Sequence, residues 1–299
     1  MDQAPSSPQD AHGSLPGCYR HPDRETGIRC VRCDRPICPE CMVNASVGFQ
    51  CPDCVRGTSP GAGRATAVSA RPRTLAGGTV SADPRLVTKI LIGLCLAVFL
   101  VQISVGDAFE DRFFLLGRAY VPSLGSLEGV AEGQWYRMLT AMFLHGSYVH
   151  ILFNMLSLWW IGGPLEAALG RARYLTLYFV SGLAGSALTY LLADPRQPSL
   201  GASGAIFGLF GATAVLLRRL NYDMRPVLAL LAINLVITFY SGFHIAWQAH
   251  IGGLVAGVVV GYAMLHAPRE RRALVQYGTC ALVLAAIVVM TLLRTSQLT

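Results

Sequence analysis

From residue 86 onward the chain alternates between long apolar stretches and short polar connections. Seven apolar stretches can be read, near 87–105, 148–169, 174–193, 201–217, 226–241, 246–265 and 274–293. At 1.5 Å of rise per residue, runs of about 17–20 residues make helices that can cross a hydrocarbon core of about 30 Å. Helices are expected because lipid gives open backbone N–H and C=O groups no partner. The first two stretches are separated by a long segment, 106–147, which holds Phe113, Phe114, Leu115 and Leu116 and then Trp135, Tyr136 and Arg137. That mixture predicts a structured loop lying in the membrane interface. Ahead of residue 86 the apolar pattern disappears. Residues 1–17 are polar and Pro-rich and read as a disordered tail without the apolar centre of a signal peptide. Residues 18–55 form a Cys-rich module, and 56–85, rich in Gly, Ala, Ser, Pro, Thr and Arg, read as a flexible basic linker. No long repeat and no heptad pattern is present.

Composition agrees with a polytopic membrane protein. Of 299 residues, 53% are hydrophobic and 14% charged, and the mean hydropathy is +0.46, too apolar for a soluble globular chain of this size. A net charge of +7 would suit a nucleic-acid partner, but much of it sits in short loops between apolar stretches, so no nucleic acid is expected. Those loops set an orientation. Arg171 and Arg173 lie between stretches 2 and 3, Arg218, Arg219 and Arg225 between 4 and 5, and Arg269, Arg271 and Arg272 between 6 and 7. On the other side, the 3–4 connection has Arg196 alone and the 5–6 connection has no arginine. The Cys-rich module is therefore expected in the cytoplasm, and stretches 2, 4 and 6 run from outside to inside. Arg- and Ala-rich composition without a targeting peptide points to a bacterial plasma membrane.

Polar residues in apolar spans are costly and mark function by default. His150 and Asn154 open stretch 2, Ser203 opens stretch 4, and His250 lies in the second turn of stretch 6. Because these stretches share a direction, all four fall at one depth, in the outer half of the membrane. Stretch 4 carries Gly204, Gly208 and Ala212, and stretch 6 carries Gly253, Gly257 and Gly261. Each set is one helical face of small residues, which lets membrane helices approach closely. If the two faces meet, Ser203 and His250 meet, and a histidine can take the proton that makes a serine hydroxyl nucleophilic. Glu166 and Asp223 lie at the cytoplasmic ends and Asp194 in a loop, so a Ser–His dyad is expected rather than a triad. His150 and Asn154, four apart, are candidate oxyanion donors beside the Ser203 backbone N–H, the start of the helix adding a favourable field. The bland alternatives are a packing role for Ser203, a capping role for His250, and interhelical hydrogen bonding for His150 and Asn154. His145 either braces the loop or binds water. Phe207 is either core or packed on the His250 ring. Trp159 and Trp160 read as lipid-facing or packing residues, and His244 and His266 as interfacial.

Seven of the nine cysteines lie between Cys18 and Cys54, while Cys95 and Cys280 sit in apolar stretches as core thiols. The pattern is Cys18-x2-His21, Cys30-x2-Cys33, Cys38-x2-Cys41 and Cys51-x2-Cys54. Four knuckles supply eight ligands, enough for two tetrahedral zinc ions, and fit zinc better than redox chemistry. So short a module cannot build a large core, so the metal would supply much of its folding free energy. The expected pairing is interleaved, with Cys18, His21, Cys38 and Cys41 on one ion and Cys30, Cys33, Cys51 and Cys54 on the other. The run resembles the cross-braced B-box class of zinc fingers, although its last pair is Cys/Cys where B-boxes usually have histidines. All eight ligands belong to structural sites, so no catalytic metal is expected.

Gly201-Ala202-Ser203-Gly204, Ala249-His250-Ile251-Gly252-Gly253, His145 with His150 and Asn154, and Trp135-Tyr136-Arg137 together resemble the rhomboid family of intramembrane serine proteases. The likeness covers about 87–265. It implies an all-α, rhomboid-like six-helix bundle, placed at 86–267, with a water-filled cavity open to the outside. Residues 268–299 then form a seventh transmembrane helix and tail, as in seven-span rhomboids. It implies hydrolysis of a peptide bond in or near a transmembrane segment of another membrane protein by Ser203 and His250, without a cofactor. It also implies oxyanion roles for His150 and Asn154, and bracing roles for Arg137 and Glu166 in the first loop and in helix packing. The implied partners are transmembrane protein substrates and the lipid bilayer; separately, the tether of the zinc module to the enzyme through the linker suggests a cytoplasmic protein partner for that module, the alternative being a role limited to its own folding. The rival readings are a catalytically inactive rhomboid-like binder of membrane proteins and a transporter. The former commonly lacks the dyad, and the latter is disfavoured by the absence of midplane carboxylates.

Overall fold

The structure is a computed structural model that describes residues 15–45, 47–57, 73–240 and 246–299, with backbone alone over 235–240. The tail through residue 14, linker residues 58–72 and His244 lie outside the described residues. The chain divides into two compact units, 1–70 and 71–299.

The first unit is small. A two-stranded antiparallel ribbon, β1 (Val43–Asn44) and β2 (Phe49–Gln50), precedes one turn of helix, α1 (Pro52–Arg56). Its interior is the cysteines themselves with Ile37, and Tyr19, Met42 and Phe49 pack at the margin. Cys51 caps α1, its sulfur accepting from the Cys54 N–H at 3.3 Å.

The second unit is helical. All seven apolar stretches are helices: α2 (Leu86–Val105), α5 (Tyr148–Leu169), α6 (Arg171–Leu192), α7 (Ser203–Arg219), α8 (Arg225–Tyr240), α9 (Trp247–His266) and α10 (Arg272–Leu298). Among the described residues, α2, α6, α9 and Arg269–Leu298 are individually long and apolar enough to cross a membrane. The helical stretch Arg137–Phe143 with α5 adds a fifth candidate bent by 90°. The protein is a multi-pass, all-α membrane protein. At 17 residues α7 spans about 26 Å, and it is sheathed by protein, packing on α5, α6 and above all α9.

The two glycine faces do meet. A methyl group on Gly253 or Gly257 would run into the backbone of Gly204 or Gly208, and one on Gly261 would lie 2.7 Å from the Ala212 side chain. The matching order of these pairs makes α7 and α9 parallel. On α6, Gly185 faces the backbone of Ala249 while Ser181 faces Gly208, so α6 runs against them.

The segment between α2 and α5 is built, as its composition predicts. It holds α3 (Asp107–Phe113), a hairpin of β3 (Ala119–Val121) and β4 (Ser126–Glu128), and the single helical turn α4 (Arg137–Thr140). Arg137 is its keystone and is wholly buried. Its guanidinium donates to Gln134 Oε1 (2.6 Å), to the carbonyls of Asp111 (2.8 Å) and Phe114 (3.1 Å), and to Glu128 Oε2 (2.9 Å). Four hydrogen bonds from one planar group thus tie together the end of α3, β4 and the loop before α4. Glu128 is held below the usual carboxylate range, first by the Ser126 hydroxyl and the Gln134 amide and then by Arg137.

Glu166 does its bracing at a helix end. Its carboxylate accepts from the Val87 and Thr88 N–H groups (3.0 and 2.9 Å) and from the Thr88 hydroxyl (2.9 Å). These are orphan donors at the start of α2, where negative charge is favoured.

One expectation needs correction. Residues 73–85, read as the end of a flexible linker, are folded against the helices. A turn closed by Arg73 and Thr79 lays Ala76 N–H on the Ala168 carbonyl (3.2 Å) and the Thr74 hydroxyl on the Leu169 carbonyl (3.2 Å). Buried Gln276 of α10 donates to the carbonyls of Ala76 (3.1 Å) and Met264 (2.8 Å). The last carbonyls of α5 have no intrahelical partner, and this turn satisfies them.

Candidate active site

Ser203 is the first residue of α7 and His250 lies in the first turns of α9. The parallel glycine contact brings these two helix starts together, and His250 Nε2 lies 2.8 Å from Ser203 Oγ. The imidazole is held from one face by buried Phe207, whose ring stacks on it at 4.0 Å between centroids and 7° between planes. On the neighbouring α6, the absence of a side chain at Gly185 admits the backbone of Ala249, the residue before His250. As the opening residue of α7, Ser203 has a backbone N–H with no helical carbonyl behind it.

His150 comes to the same place. Ser147 caps α5 by accepting from the His150 N–H at 3.1 Å. A methyl group on Gly201 would lie 2.8 and 2.9 Å from His150 Cε1 and Nε2 and 3.7 Å from Ser203 Oγ. The imidazole edge and the hydroxyl therefore border one small space. Gly201 has φ +131, a conformation L side chains avoid, and its N–H is fixed on the Ala141 carbonyl at 2.8 Å. Asn154, one turn beyond His150 on the same face, is buried and its amide Nδ2 has no hydrogen-bond partner among the described residues. An unmet donor in an apolar interior is expensive, so this one is available to a group that enters the site. The ring of His145 stands 5.2 Å from that of His150 and is buried.

Two positions escaped the sequence reading. Gln102 of α2 accepts from the His145 N–H (3.0 Å) and donates to the His145 carbonyl (3.3 Å) and to Glu110 (3.2 Å), so it pins the loop that leads into α5. A lone amide in an apolar span was the available signal. Gly201 is the second, and its signal was a glycine two residues before Ser203. Trp160 is exposed on the bundle surface, and Trp159 stacks under Arg85 at 5.1 Å.

A polytopic helical unit with a serine and a histidine hydrogen-bonded at the start of two parallel, glycine-packed helices is what this sequence builds. A family model described as the Rhomboid domain matches residues 132–267. The protein YdcA of Bacillus subtilis is 35% identical over 149 residues, covering 48% of this chain and 74% of that protein. Rhomboid protease GluP of Bacillus subtilis is 34% identical over 182 residues, 59% of this chain but 34% of GluP. RHOMBOID-like protein 7 of Arabidopsis thaliana is 33% identical over 220 residues, 64% of this chain and 68% of that protein. The chain belongs to the rhomboid family.

In the first unit the four knuckles assemble into two groups, Cys18, His21, Cys38 and Cys41, and Cys30, Cys33, Cys51 and Cys54. This is the interleaved pairing. Within each group the ligand atoms lie within 4.8 Å of one another. His21 Nδ1 is 3.3 Å from Cys38 Sγ and 3.5 Å from Cys41 Sγ, and Cys33 and Cys51 sulfurs are 3.8 Å apart. A tetrahedral ion with metal–sulfur bonds of about 2.3 Å has edges of about 3.8 Å, so the spacing suits such an ion. The thiols are electrically uneven. Burial pushes Cys18 and Cys30 up, but backbone N–H donors outweigh it and bring both down to about 6. Burial first, and then neighbouring sulfurs, push Cys41 and Cys54 up to about 12. Holding Cys30, Cys33, Cys51 and Cys54 all as thiolates would need a cation among them.

Proposed function

We propose that this protein is an intramembrane serine endopeptidase that hydrolyses peptide bonds in or near transmembrane segments of other membrane proteins. The observation that carries the reading is the 2.8 Å hydrogen bond between His250 Nε2 and Ser203 Oγ. In this reading Ser203 Oγ attacks the scissile carbonyl while His250 takes its proton. His150, the Asn154 amide and the Ser203 N–H receive the oxyanion. His250 then gives the proton to the leaving amine, and water, deprotonated by His250, releases the acyl group from Ser203. The stacked Phe207 ring keeps the imidazole in the plane from which it reaches the hydroxyl. A substrate helix must unwind to present its carbonyl to Ser203, so small or helix-destabilising residues near the outer face are the expected cleavage context. Ser203→Ala should abolish cleavage of a transmembrane substrate reconstituted with the full chain. Undiminished cleavage would overturn the proposal and favour the inactive-binder reading.

We further propose that the two Cys/His groups bind two structural zinc ions, and that the module serves as a cytoplasmic docking or regulatory element of a plasma-membrane enzyme whose site opens outward. The ligand spacing supports zinc, and the arginine asymmetry of the loops supports the orientation. Deleting residues 1–60 should alter partners or cleavage while the helical unit still inserts. If neither changes, the module has only its own folding to serve.

A further inference from the structure

The turn at Thr74–Thr79 closes one end of the helical unit, the end of α5 remote from His150. Three arginines from three separate parts of the chain converge on its two central glycines. Arg73 Nη1 donates to the Gly77 carbonyl at 3.3 Å. Arg272, the first residue of α10, lies over Gly77 so closely that a methyl group there would collide with its guanidinium. Arg173 Nη1 would lie 3.2 Å from a methyl group on Gly78, and its Nε donates to buried Gln276 at 2.8 Å. Gly77 has φ +85 and both glycines are buried, so the backbone turn is shaped around these cations.

The charge there is not offset. None of the three arginines forms an ion pair with a carboxylate among the described residues. Glu166 is engaged at the start of α2 and Asp83 pairs with Lys89 at 3.0 Å, and Glu270, two residues before Arg272, forms no ion pair among the described residues. Neither α6 nor α10 has an acidic residue in its first turn, where Arg173 and Arg272 stand. Gathering three guanidinium groups around one turn without a counter-charge is unfavourable. Guanidinium forks match the geometry of phosphate oxygens better than any other side chain does. Arg73 is exposed and the other two are half-buried, so the site is reachable from outside the protein. It also sits at the helix ends, at the level where phospholipid headgroups lie against a membrane protein.

We propose that Arg73, Arg173 and Arg272 bind the phosphate of an anionic phospholipid, and that the bound headgroup locks the 74–79 turn onto α5 and α10. The consequence is regulatory. The turn is the first described piece of the helical unit, so lipid composition would set how firmly the start of that unit is anchored.

The test uses the detergent-solubilised full chain and a short-chain phosphatidylglycerol, followed by native mass spectrometry, with phosphatidylcholine and inorganic phosphate as comparators. Wild type should bind phosphatidylglycerol at least roughly tenfold more tightly than the triple variant Arg73→Gln, Arg173→Gln, Arg272→Gln, since each headgroup contact is charge-assisted. Arg218→Gln with Arg219→Gln, which removes arginines outside this cluster, should leave that affinity within about twofold. Equal affinity of wild type and triple variant overturns the site. Full competition by inorganic phosphate at the lipid's own concentration overturns the lipid as the source of the phosphate. In case the triple variant misfolds, hydrogen exchange of the wild-type Thr74–Gly78 amides is measured with and without phosphatidylglycerol. Slower exchange with the anionic lipid, and not with phosphatidylcholine, supports the proposal, and unchanged exchange overturns it.

Discussion

Gly185→Ala is the substitution through which packing should act on chemistry. The new methyl carbon would stand 2.6 Å from the Ala249 carbonyl oxygen, 3.3 Å from its carbon and 3.4 Å from its Cα. These are backbone atoms and cannot rotate away. Relief to an ordinary contact near 3.4 Å requires α9 to move from α6 by about 0.8 Å at this level. Ala249 precedes His250, so the shift falls on the hydrogen bond to Ser203, now 2.8 Å. At about 3.6 Å that contact is no longer a hydrogen bond. Overpacking costs about 1–3 kcal/mol, against about 1 kcal/mol gained by replacing a mid-helix glycine with alanine. We therefore expect a modest loss of stability and a large loss of rate. The thermal midpoint should fall by a few degrees, while cleavage, which depends on general-base catalysis worth roughly 10²–10⁴-fold, falls at least about tenfold. The assay is cleavage of a reconstituted transmembrane substrate, run beside a thermal melt. Gly278→Ala is the control, because nothing lies within 4 Å of a methyl group there; it should keep full cleavage and melt no lower. If Gly185→Ala cleaves at the wild-type rate, the coupling of helix spacing to the Ser203–His250 geometry is refuted.

Other consequences are as direct. Arg137→Met leaves buried Glu128 without its cation and two carbonyls without their guanidinium donor and should cost about 3–5 kcal/mol in a melt; a loss under about 1 kcal/mol would contradict the keystone role. Glu128, held below its ordinary pKa by Ser126, Gln134 and Arg137, contributes stability that is complete above the unfolded carboxylate value near 4.3 and is lost as pH falls through the lowered one. The melting temperature of wild type should therefore drop on the acid side more steeply than that of Glu128→Gln, and parallel curves would refute this. Asn154→Ala should reduce cleavage roughly 10²-fold with little change in melting, as the loss of one oxyanion donor does; wild-type turnover would remove it from the site. Purified protein should carry two zinc ions, falling to about one in Cys38→Ser or in Cys51→Ser; loss of both ions from either single variant would speak against two separate sites.

The helices were legible because lipid imposes a length and a polarity on them, and each apolar run became a helix within a few residues of its expected ends. The Ser203–His250 encounter was legible for a second reason. Gly204, Gly208 and Ala212 on one helix and Gly253, Gly257 and Gly261 on the other are spaced to mate in register, and mating them aligns the helix starts. Four Cys/His knuckles announced eight ligands, although their grouping rests on a short chain path that spacing alone leaves open. The Arg137 cluster was not legible as an assembly. Its acceptors are two carbonyls, an amide and a carboxylate drawn from Asp111 to Gln134, and backbone acceptors leave no trace in sequence. The 73–85 segment misled because its Gly, Thr and Arg composition is that of a linker. Its order comes from carbonyls at the end of α5 and from Gln276, close to 100 and 200 residues away in the chain. Gln102 could have been noticed, since it breaks the apolar run of α2 as His150 and Asn154 break that of α5. The stacking of Phe207 on His250 needed coordinates, because a phenylalanine one turn from a half-buried serine is equally at home in the core.

The central claim is that Ser203 is a nucleophile made reactive by His250. A fluorophosphonate probe, mapped to its residue by mass spectrometry on the membrane-reconstituted full chain, tests it most directly. The adduct should form on Ser203 in wild type and be lost, or slowed by roughly 10²-fold or more, in His250→Ala, a protein in which the serine itself is untouched. Labelling of Ser203 at the same rate in both proteins, or no labelling of Ser203 in a wild type that still cleaves its substrate, would contradict the account.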